Sequence, residues 1–201
     1  YQFRNWYHFG WLSGDDIGQS LVHSMDKAAM VLGDEPPVKV FGQGGRSSSV
    51  GPVFGNVFDH HALVYEYANG MKMFAFGRAQ TGCHDEVTDY IYGTKGRAEL
   101  SPRFRIEGEN PWRFRGPDSP MYDLEHVALF DSIRSGTPIN NGTYMARSSM
   151  LAVMGEMSCH SGRQITWDEA MKSDYRLFPE DCSLDMDPPV KPDANGIYPV
   201  P

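Results

Sequence analysis

The sequence predicts an α+β domain in which helices cover one face of an open, mostly antiparallel sheet, followed by an irregular Pro-rich C-terminal arm. Helical periodicity comes first, a block of β-rich runs joined by short turns follows, and two further helical stretches complete the domain. Periodicity is lost from Asp174 onward, and six prolines fall between Pro179 and Pro201. We therefore predict an α+β domain over residues 1–173 and an extended arm over residues 174–201.

The first predicted helix begins with Asp15 or Asp16 as its cap and ends at Gly33, where "GDEPP" supplies a glycine and two prolines. At about 100° per residue, one stripe of this helix is apolar and is predicted to lie on the sheet. That stripe consists of Ile17, Leu21, Met25, Ala28 and Leu32.

The predicted strands follow one another as antiparallel neighbours. "VKVFGQGGR" is typical of a strand that enters a glycine-rich turn, and "NVFDHHALVYEYANGMKMFAFGRAQ" is typical of a hairpin. Asn69 and Gly70 are the pair preferred in a type I′ turn. "EVTDYIYGTKGRAEL" repeats the pattern with a turn from Gly93 to Gly96, and "RFRIEG" and "PWRFRG" continue it as short strands.

Two helices are predicted after the strands. The first runs roughly over Met121–Ser135 and ends at Gly136, and a proline follows two residues later. The second runs roughly over Thr143–His160 and ends at Gly162. Their position after the strands completes the α+β order of elements.

Charge and cysteine content exclude several classes of function. The formal net charge is -8, whereas nucleic acids and anionic membranes both favour a basic surface, so neither is expected as a partner. No apolar run approaches the length of about 18 residues that spans a membrane. Cys83, Cys159 and Cys182 are far apart, which argues against a disulfide framework or a cysteine-ligated zinc site.

The first predicted helix also carries a group of polar side chains. Gln19, His23 and Asp26 are separated by four and three residues, so an ideal helix places them together on one side. A carboxylate beside an imidazole can set its tautomer and pKa, as a proton-transferring group requires. On spacing alone, a solvated face with a hydrogen bond between His23 and Asp26 is the favoured interpretation.

The segment "WLSGDDIGQSLVHSMDKAAMVLGDEPPVKV" resembles the start of the C-terminal domain of the Gfo/Idh/MocA family, the glucose-fructose oxidoreductase and inositol dehydrogenase family. "GTKGRAEL", "YDLEHVALFDSIRSGTPINNG" and "ARSSMLAVMGEMSCHSGRQITWDEA" are similar to later segments of that domain, in the same order. The similarity covers the chain from about Arg4 to Ser173. Each motif is modest alone, and their order and spacing together are more specific.

The resemblance implies a catalytic or orienting role for His23, because the family presents the matching histidine to the substrate. It also implies a substrate-binding surface around this helix. We assign to that surface Gln19, Asp26, Asp16, Trp11 and Tyr7. The two aromatic residues belong to "NWYHFGW", which can stack on sugar rings or equally pack at the start of the domain.

The chain departs from the family pattern at two positions of the helix. Gln19 occupies the place of an aspartate and Leu21 that of a glycine. A glutamine side chain can hydrogen-bond a substrate hydroxyl but cannot accept its proton. The family's usual proton relay is therefore not predicted from these residues, even though His23 keeps its place.

The resemblance implies NAD or NADP as cofactor, bound by an N-terminal Rossmann domain that carries a glycine-rich turn and a catalytic lysine. Neither feature occurs in this sequence, and the chain opens with Tyr1 rather than methionine, so we expect a fragment that is inactive alone and has no cofactor-binding residues. The expected partners are a sugar or polyol and further copies of the protein. No metal site is assigned.

The oligomer is expected to form through the open face of the sheet. Alternation along "FDHHALVYEY" leaves neither face plainly solvated, because one face carries two tyrosines and the other carries Val64 and Glu66. The residues predicted to form the contact are Tyr65, Tyr67, Met73 and Phe74 or Phe76.

Two other functions stay open at this point. The domain can be a non-catalytic carbohydrate-binding or assembly module, which the glutamine at position 19 favours. A weaker alternative is a metal-dependent lyase or hydrolase that uses His23, Asp26 and either His60 or His61. Neighbouring residues of a strand point to opposite faces, so the two adjacent histidines are not expected to chelate one ion.

The glycine-rich "FGQGGRSSS" is not predicted to bind phosphate, because no helix follows it to present its N-terminal amides to the anion. Arg46 within it is a weak candidate for contact with an anionic group of a substrate.

Overall fold

The computed structural model describes residues 1–117, 119–183 and 185–201. The chain divides into two compact units. The first comprises Tyr1–Asp85 and Arg147–Pro201, and the second comprises Glu86–Ala146. Among the described residues, none of the helices combines the length and the apolar character needed to cross a membrane.

The helices and strands follow the predicted order, with short elements added at both ends. The helices are α1 (Gly10–Ser13), α2 (Val22–Val31), α3 (Met121–Ser135), α4 (Gly142–Ser161) and α5 (Trp167–Lys172). The strands are β1 (Lys39–Gly45), β2 (His60–Glu66), β3 (Lys72–Arg78), β4 (Asp89–Gly93), β5 (Gly96–Ser101), β6 (Arg105–Gly108), β7 (Trp112–Arg113) and β8 (Ile165–Thr166). A 3₁₀ turn over Trp6–His8 and a π-helical turn over Ile17–Leu21 precede α2.

The sheet of the first unit is antiparallel, with strand order β3-β2-β1-β8. Its inner face is apolar and is covered by α2 and α4, as the helical periodicity predicts. Tyr65 on β2 has no exposed surface, and its hydroxyl donates a hydrogen bond of 2.6 Å to the carbonyl oxygen of Leu151 on α4. The buried hydrophobic core also contains Ile17, Leu21, Met25, Val40, Leu63, Met73, Ala75, Met154 and Ile165.

A second, smaller hydrophobic cluster joins the two ends of the chain. The rings of Phe9 and Tyr198 meet edge to face at 4.9 Å between centroids, and Trp11 is buried beside them. Gln2 fixes both sides of this cluster: its Oε1 accepts from Trp11 Nε1 at 2.7 Å, and its Nε2 donates to the Val190 carbonyl at 2.6 Å. The Pro-rich segment therefore packs on the N-terminal segment of its own chain.

The second unit contains an antiparallel sheet of order β4-β5-β6-β7 and the helix α3. The turn between β4 and β5 pairs Gly93 with Gly96, as predicted. Charged side chains connect the strands: Arg97 Nε donates to Glu107 Oε2 at 2.8 Å, and Arg105 Nε donates to Glu99 Oε2 at 3.0 Å.

The α+β prediction is confirmed, although the strands form two four-stranded sheets rather than one. The predicted type I′ turn is wrong. The Gly70 N–H bonds the Tyr67 carbonyl, which makes Ala68 and Asn69 the central residues, and only Gly70 has a positive φ, of 85°. This is a three-residue loop that ends in a left-handed glycine. The domain boundary at residue 173 stays a prediction.

The predicted composition of the outer sheet face is wrong for three of its residues. Tyr65, Tyr67 and Met73 belong to the buried core under the helices. Phe74 and Phe76 do lie on the outer face, where they are 60% and 68% exposed. The alternation along β2 was predicted correctly, but the face that carries the two tyrosines was taken as the open one, whereas it packs against the helices.

Gly155 sets the distance between α4 and the sheet. A Cβ atom at this position would overlap the Tyr65 hydroxyl oxygen and lie 3.1 Å from Leu63 Cδ1. Both of those side chains are fully buried, so neither can move into solvent. A glycine at this position therefore allows the helix to approach β2 closely.

We predict that Gly155→Ala lowers the free energy of unfolding by about 1–3 kcal/mol, because overpacking a dense core forces side chains from their preferred rotamers. Urea denaturation followed by circular dichroism measures this change. The matched control is Gly18→Ala, where the new Cβ would lie 3.7 Å from the Ser13 carbonyl at an exposed position. Equal stability of the two variants would contradict the close-approach argument.

Candidate functional site

Three of the residues predicted to bind substrate lie together at the start of the first long helix. The Tyr7 hydroxyl donates to Asp16 Oδ1 at 3.2 Å and forms a hydrogen bond of 2.9 Å with Ser20 Oγ. Gln19 Nε2 donates to the Tyr7 carbonyl at 3.1 Å. We call Tyr7, Asp16, Gln19 and Ser20 the polar row. It joins the aromatic N-terminal segment to the helix.

His23 lies one turn beyond the polar row and is exposed. Its imidazole is therefore open to solvent at the surface of α2. Asp26, in contrast, is half-buried and accepts a hydrogen bond of 2.5 Å from Ser148 Oγ on α4. Trp11 is 6% exposed and belongs to the cluster around Phe9. The structure thus groups Tyr7, Asp16 and Gln19 with one another, and it places Asp26 and Trp11 in packing contacts.

The π-helical turn explains why the predicted row of Gln19, His23 and Asp26 is not continuous. The Val22 N–H bonds the carbonyl of Ile17, five residues before it, so the helix is wider here than the regular α-helix assumed for the periodicity. An extra residue in a turn rotates the side chains before it about the helix axis, relative to the side chains after it. Gln19 lies in the π turn, whereas His23 and Asp26 lie in the regular helix.

The members of the polar row differ in how deeply they are buried. Gln19 Oε1 is buried and has no hydrogen-bond partner among the described residues. Burial raises the pKa of Tyr7, the hydrogen bond from Ser20 opposes this, and the neighbouring Asp16 carboxylate adds to the increase. The phenol therefore stays protonated at neutral pH. A neutral phenol can bind the hydroxyls of a carbohydrate, whereas the buried Gln19 Oε1 becomes accessible only if the side chain turns outward.

A largely buried cluster of ionisable side chains begins one residue before Asp16. It consists of Asp15, His61, Glu156 and His160, and we call it the buried centre. Asp15 Oδ2 accepts from His160 Nε2 at 2.9 Å, and Asp15 Oδ1 lies 3.7 Å from His61 Nε2. The side chains of Asp15 and His61 are 1% and 0% exposed. Phe58 lines the centre, with its ring centroid 4.6 Å from that of His160.

The surroundings of the buried centre lower the pKa of one of its carboxyl groups and raise the pKa of the other. Burial disfavours the Asp15 carboxylate, but the imidazoles of His160 and His61 and the N–H of Asp16 outweigh it and hold the pKa of Asp15 below its usual range. Burial raises the pKa of Glu156 to about 9, and the charge of Asp15 contributes. Glu156 Oε1 has no hydrogen-bond partner among the described residues.

Sequence reasoning missed the buried centre because its members come from three distant elements. Asp15 was predicted to be a helix cap, and its φ of 61° instead turns its carboxylate inward. Glu156 and His160 are four residues apart on α4, a spacing that places two ligand-type side chains on one helical face. That spacing was the available signal. His61 lies on the inner face of β2 and His60 on the outer, as the alternation predicts.

The structure does not bring His23 and Asp26 together in a metal site, as the predicted alternative required. Over residues 1–117, 119–183 and 185–201, the side chains close enough to share one ion are Asp15, Glu156 and His160.

The glycine-rich segment holds an internal anion. The backbone N–H groups of Ser47, Ser48 and Ser49 all donate to Asp59 Oδ2, at 2.9, 2.8 and 2.8 Å. Arg46 donates to the carbonyls of Gly55 and Tyr198, at 2.5 and 2.7 Å. The amides that could surround a phosphate are therefore bound to a side chain of the same chain, and the arginine is engaged in packing contacts.

No family model and no curated protein matches the sequence, whereas solved structures match its fold. The aldose-aldose oxidoreductase from Caulobacter crescentus, complexed with glycerol, is 20% identical with a TM-score of 0.62, over 80% of this chain and 50% of that one. An oxidoreductase from Agrobacterium radiobacter, in complex with NAD+, L-tartaric acid and magnesium, is 19% identical with a TM-score of 0.56, over 81% and 52%.

UDP-N-acetylglucosamine 3-dehydrogenase from Acidithiobacillus ferrooxidans is a third match, 15% identical with a TM-score of 0.63, over 75% of this chain and 49% of that one. At these identities the similarity is one of fold. The chain spans about half the length of the structures it matches. The predicted resemblance to the C-terminal domain of Gfo/Idh/MocA-type oxidoreductases is thereby confirmed at the level of fold.

Asp59→Asn tests how much the Asp59 carboxylate, bound by the amides of the glycine-rich segment, stabilises the fold. We predict a loss of about 1.5–3 kcal/mol in the free energy of unfolding at neutral pH, because hydrogen bonds to a buried charge are stronger than those to a neutral amide. Although burial opposes ionisation, the N–H groups of Ser49, Ser48 and Ser47 and the His60 side chain hold the pKa of Asp59 well below its usual range.

A carboxylate whose pKa is lowered by folding stabilises the fold above its unfolded pKa, and this contribution is lost as the pH falls further. The stability difference between wild type and Asp59→Asn should therefore narrow below about pH 4. Denaturant titrations between pH 7 and pH 3 measure it, with the exposed Asp174→Asn as control. A difference that does not change with pH would contradict the assignment.

Proposed function

We propose that this chain is the substrate-binding and oligomerisation domain of an NAD(P)-dependent oxidoreductase that acts on a sugar or polyol. The observation that carries the proposal is an exposed imidazole, His23, one turn from a row of hydroxyl-binding groups on the first long helix. The fold supports it, since matched proteins include an aldose-aldose oxidoreductase and a UDP-N-acetylglucosamine dehydrogenase.

The residues of this chain do not fit a dinucleotide. Its glycine-rich loop is not followed by a helix, and the amides of that loop hold Asp59. In the proposal, NAD or NADP is bound by another part of the protein, which also contributes the hydride chemistry. The chain by itself is then inactive, and its contribution is to bind the substrate, orient it and move a proton.

The proposed role of His23 follows from its position. Oxidation of a secondary alcohol releases the hydroxyl proton, and a neutral imidazole within hydrogen-bond reach can accept it. Because His23 is exposed, the proton can continue to solvent. Gln19 cannot take that role, because an amide accepts no proton.

We predict that His23→Ala lowers kcat of the full-length protein by about 10²–10⁴-fold, the usual contribution of a general base. The assay follows reduction of NAD⁺ or NADP⁺ with a panel of aldoses and polyols. His126→Ala, which alters an exposed histidine on α3, is the matched control. Unchanged turnover in His23→Ala would remove the catalytic assignment, and no turnover with any polyol would remove the substrate class.

The outer face of the first sheet supports the oligomerisation role. Phe41, Val64 and Phe74 are paired across three strands, and Phe41 and Phe74 are 53% and 60% exposed. Phe76 extends the same face at 68% exposure. Such a contiguous apolar patch is characteristic of a protein interface. Salt bridges of Glu66 to Lys39 and Lys72 border it, at 3.2 and 3.1 Å.

Phe74→Asp combined with Phe76→Asp is predicted to dissociate the oligomer, because two charges would be buried in an apolar contact without partners. Multi-angle light scattering at micromolar concentration should change from an oligomeric to a monomeric mass. Tyr122→Asp, equally exposed at 68% on α3, serves as control and should leave the mass unchanged. A monomeric mass for the wild type would contradict the interface.

A non-catalytic carbohydrate-binding module is the second candidate. Gln19 favours it, because this position of the helix offers an amide where an oxidoreductase of this fold would use an acid. The two candidates differ in one measurement on the full-length protein: saturable sugar binding without reduction of either dinucleotide supports the binding module.

A further inference from the structure

We propose that the buried centre is a binding site for one divalent transition-metal ion of the zinc type, with Asp15, Glu156 and His160 as ligands and His61 as a fourth. The proposal concerns side chains behind the polar row, and it does not depend on the chain being part of an oxidoreductase.

The ligand atoms converge from separate elements. One oxygen of each carboxyl group and one nitrogen of His160 all lie within 4.8 Å of one another. A tetrahedral ion with bonds of about 2.0–2.1 Å needs its ligand atoms roughly 3.3–3.5 Å apart. The separation of 2.9 Å between Asp15 Oδ2 and His160 Nε2 must therefore open slightly. His61 lies outside this group, with its Nε2 3.7 Å from Asp15 Oδ1, so it completes the ligand set only by moving toward the ion.

Unsatisfied polar atoms point to a missing component. Glu156 is 4% exposed and His61 is 3% exposed. Glu156 Oε1 and both ring nitrogens of His61 have no hydrogen-bond partner among the described residues. Buried polar groups are almost always paired, and each exception requires an explanation. A metal ion ligated by Glu156 and His61 would satisfy atoms on both of these side chains at once.

Charge gives a second argument. Asp15 and Glu156 are two carboxyl groups in one dry environment, and no Lys or Arg forms an ion pair with either in the described part of the chain. Buried charges are stable only when they are paired or coordinate a metal. The competing solution is a proton on Glu156, which its raised pKa allows. That solution leaves Glu156 Oε1 without a hydrogen-bond partner among the described residues, whereas a dication neutralises both carboxylates.

The ligand set selects the class of ion. Ca²⁺ and Mg²⁺ prefer six or more oxygen ligands, several of them water, which an enclosed site with imidazoles does not offer. Two imidazoles and two carboxylates in a small buried space suit four-coordinate Zn²⁺ and, in substituted form, Co²⁺. The buried Cys159 is the neighbour of His160 along α4 and is not in the ligand group.

Neighbouring groups hold the ligands in place, as outer-shell contacts do in metal sites. The Asp16 N–H donates to Asp15 Oδ1 at 2.6 Å, and the Tyr175 hydroxyl lies 3.4 Å from His160 Nδ1. Because Asp16 also binds Tyr7, an ion at Asp15 would join α4 to the segment that carries the polar row. The role inferred for the ion is therefore structural.

The test measures metal binding directly on the full-length protein. After removal of metal with chelator, calorimetric titration with Zn²⁺ should give one site per chain, and Zn²⁺ should raise the melting temperature. Glu156→Gln, which preserves shape, and His160→Gln should each weaken this binding at least about tenfold. Glu125→Gln and His126→Gln make the same changes at an exposed pair on α3 and should bind as the wild type does.

The visible absorption spectrum of the wild type with Co²⁺ tests the proposal even if a variant fails to fold. The wild type should show the visible absorption of tetrahedral Co²⁺ without the thiolate charge-transfer band that the exposed Cys83 or Cys182 would produce. Absence of a stoichiometric site in the wild type would overturn the proposal. So would a site whose affinity is unchanged in Glu156→Gln, or one whose spectrum shows cysteine ligation. Turnover plays no part in these readouts, so their failure leaves the proposed oxidoreductase function unaffected.

Discussion

The apolar inner face of the four-stranded sheet must be covered by helices, and this requirement positions α2 and α4, which carry His23, Glu156 and His160. α2 and α4 lie on that face, and Gly155 allows α4 to approach β2 closely. The apolar stripe of α2 therefore has only one orientation, which directs His23 to solvent. The same packing brings Glu156 and His160 of α4 against Asp15 at the start of the first long helix.

Adjacent aspartates divide the region into an inner and an outer part. Asp15 turns into the protein with a φ of 61°, whereas Asp16 faces Tyr7 and Ser20. The outer part is polar, half-open and suited to bind hydroxyl groups. The inner part is buried, and its Asp15 carboxylate interacts with the imidazoles of His61 and His160. One change in backbone direction thus separates a surface that can bind substrate from a cluster that links two helices.

Local signals in the sequence predicted most elements of the fold. The helix Met121–Ser135 is observed with its predicted bounds, because Gly136 adopts the left-handed conformation that ends it. The apolar stripe of α2 is buried at Ile17, Leu21 and Met25. β8 was missed, since two residues carry no periodicity, and the division of the strands into two sheets is set by pairings that no local pattern encodes.

The site was predictable only where its residues are close in sequence. Tyr7, Asp16 and Gln19 come from one short stretch, and the structure brings them together. Asp26 lies apart from them, because the π turn breaks the regular helical angle, and Ser148, 122 residues away in sequence, donates to its carboxylate. The buried centre, which draws on residues 15, 61, 156 and 160, depends wholly on tertiary packing.

The hydrogen bond from Gln2 to the Val190 carbonyl spans 188 residues, and that from Arg46 to the Tyr198 carbonyl spans 152. The segment that carries Tyr7 is held by Phe9 and Trp11 against the end of the Pro-rich arm. During biosynthesis this segment emerges from the ribosome before the arm, and its anchoring contacts are completed only after Val190 and Tyr198 have emerged. The polar row consequently acquires its native support only once the Pro-rich arm has been synthesised.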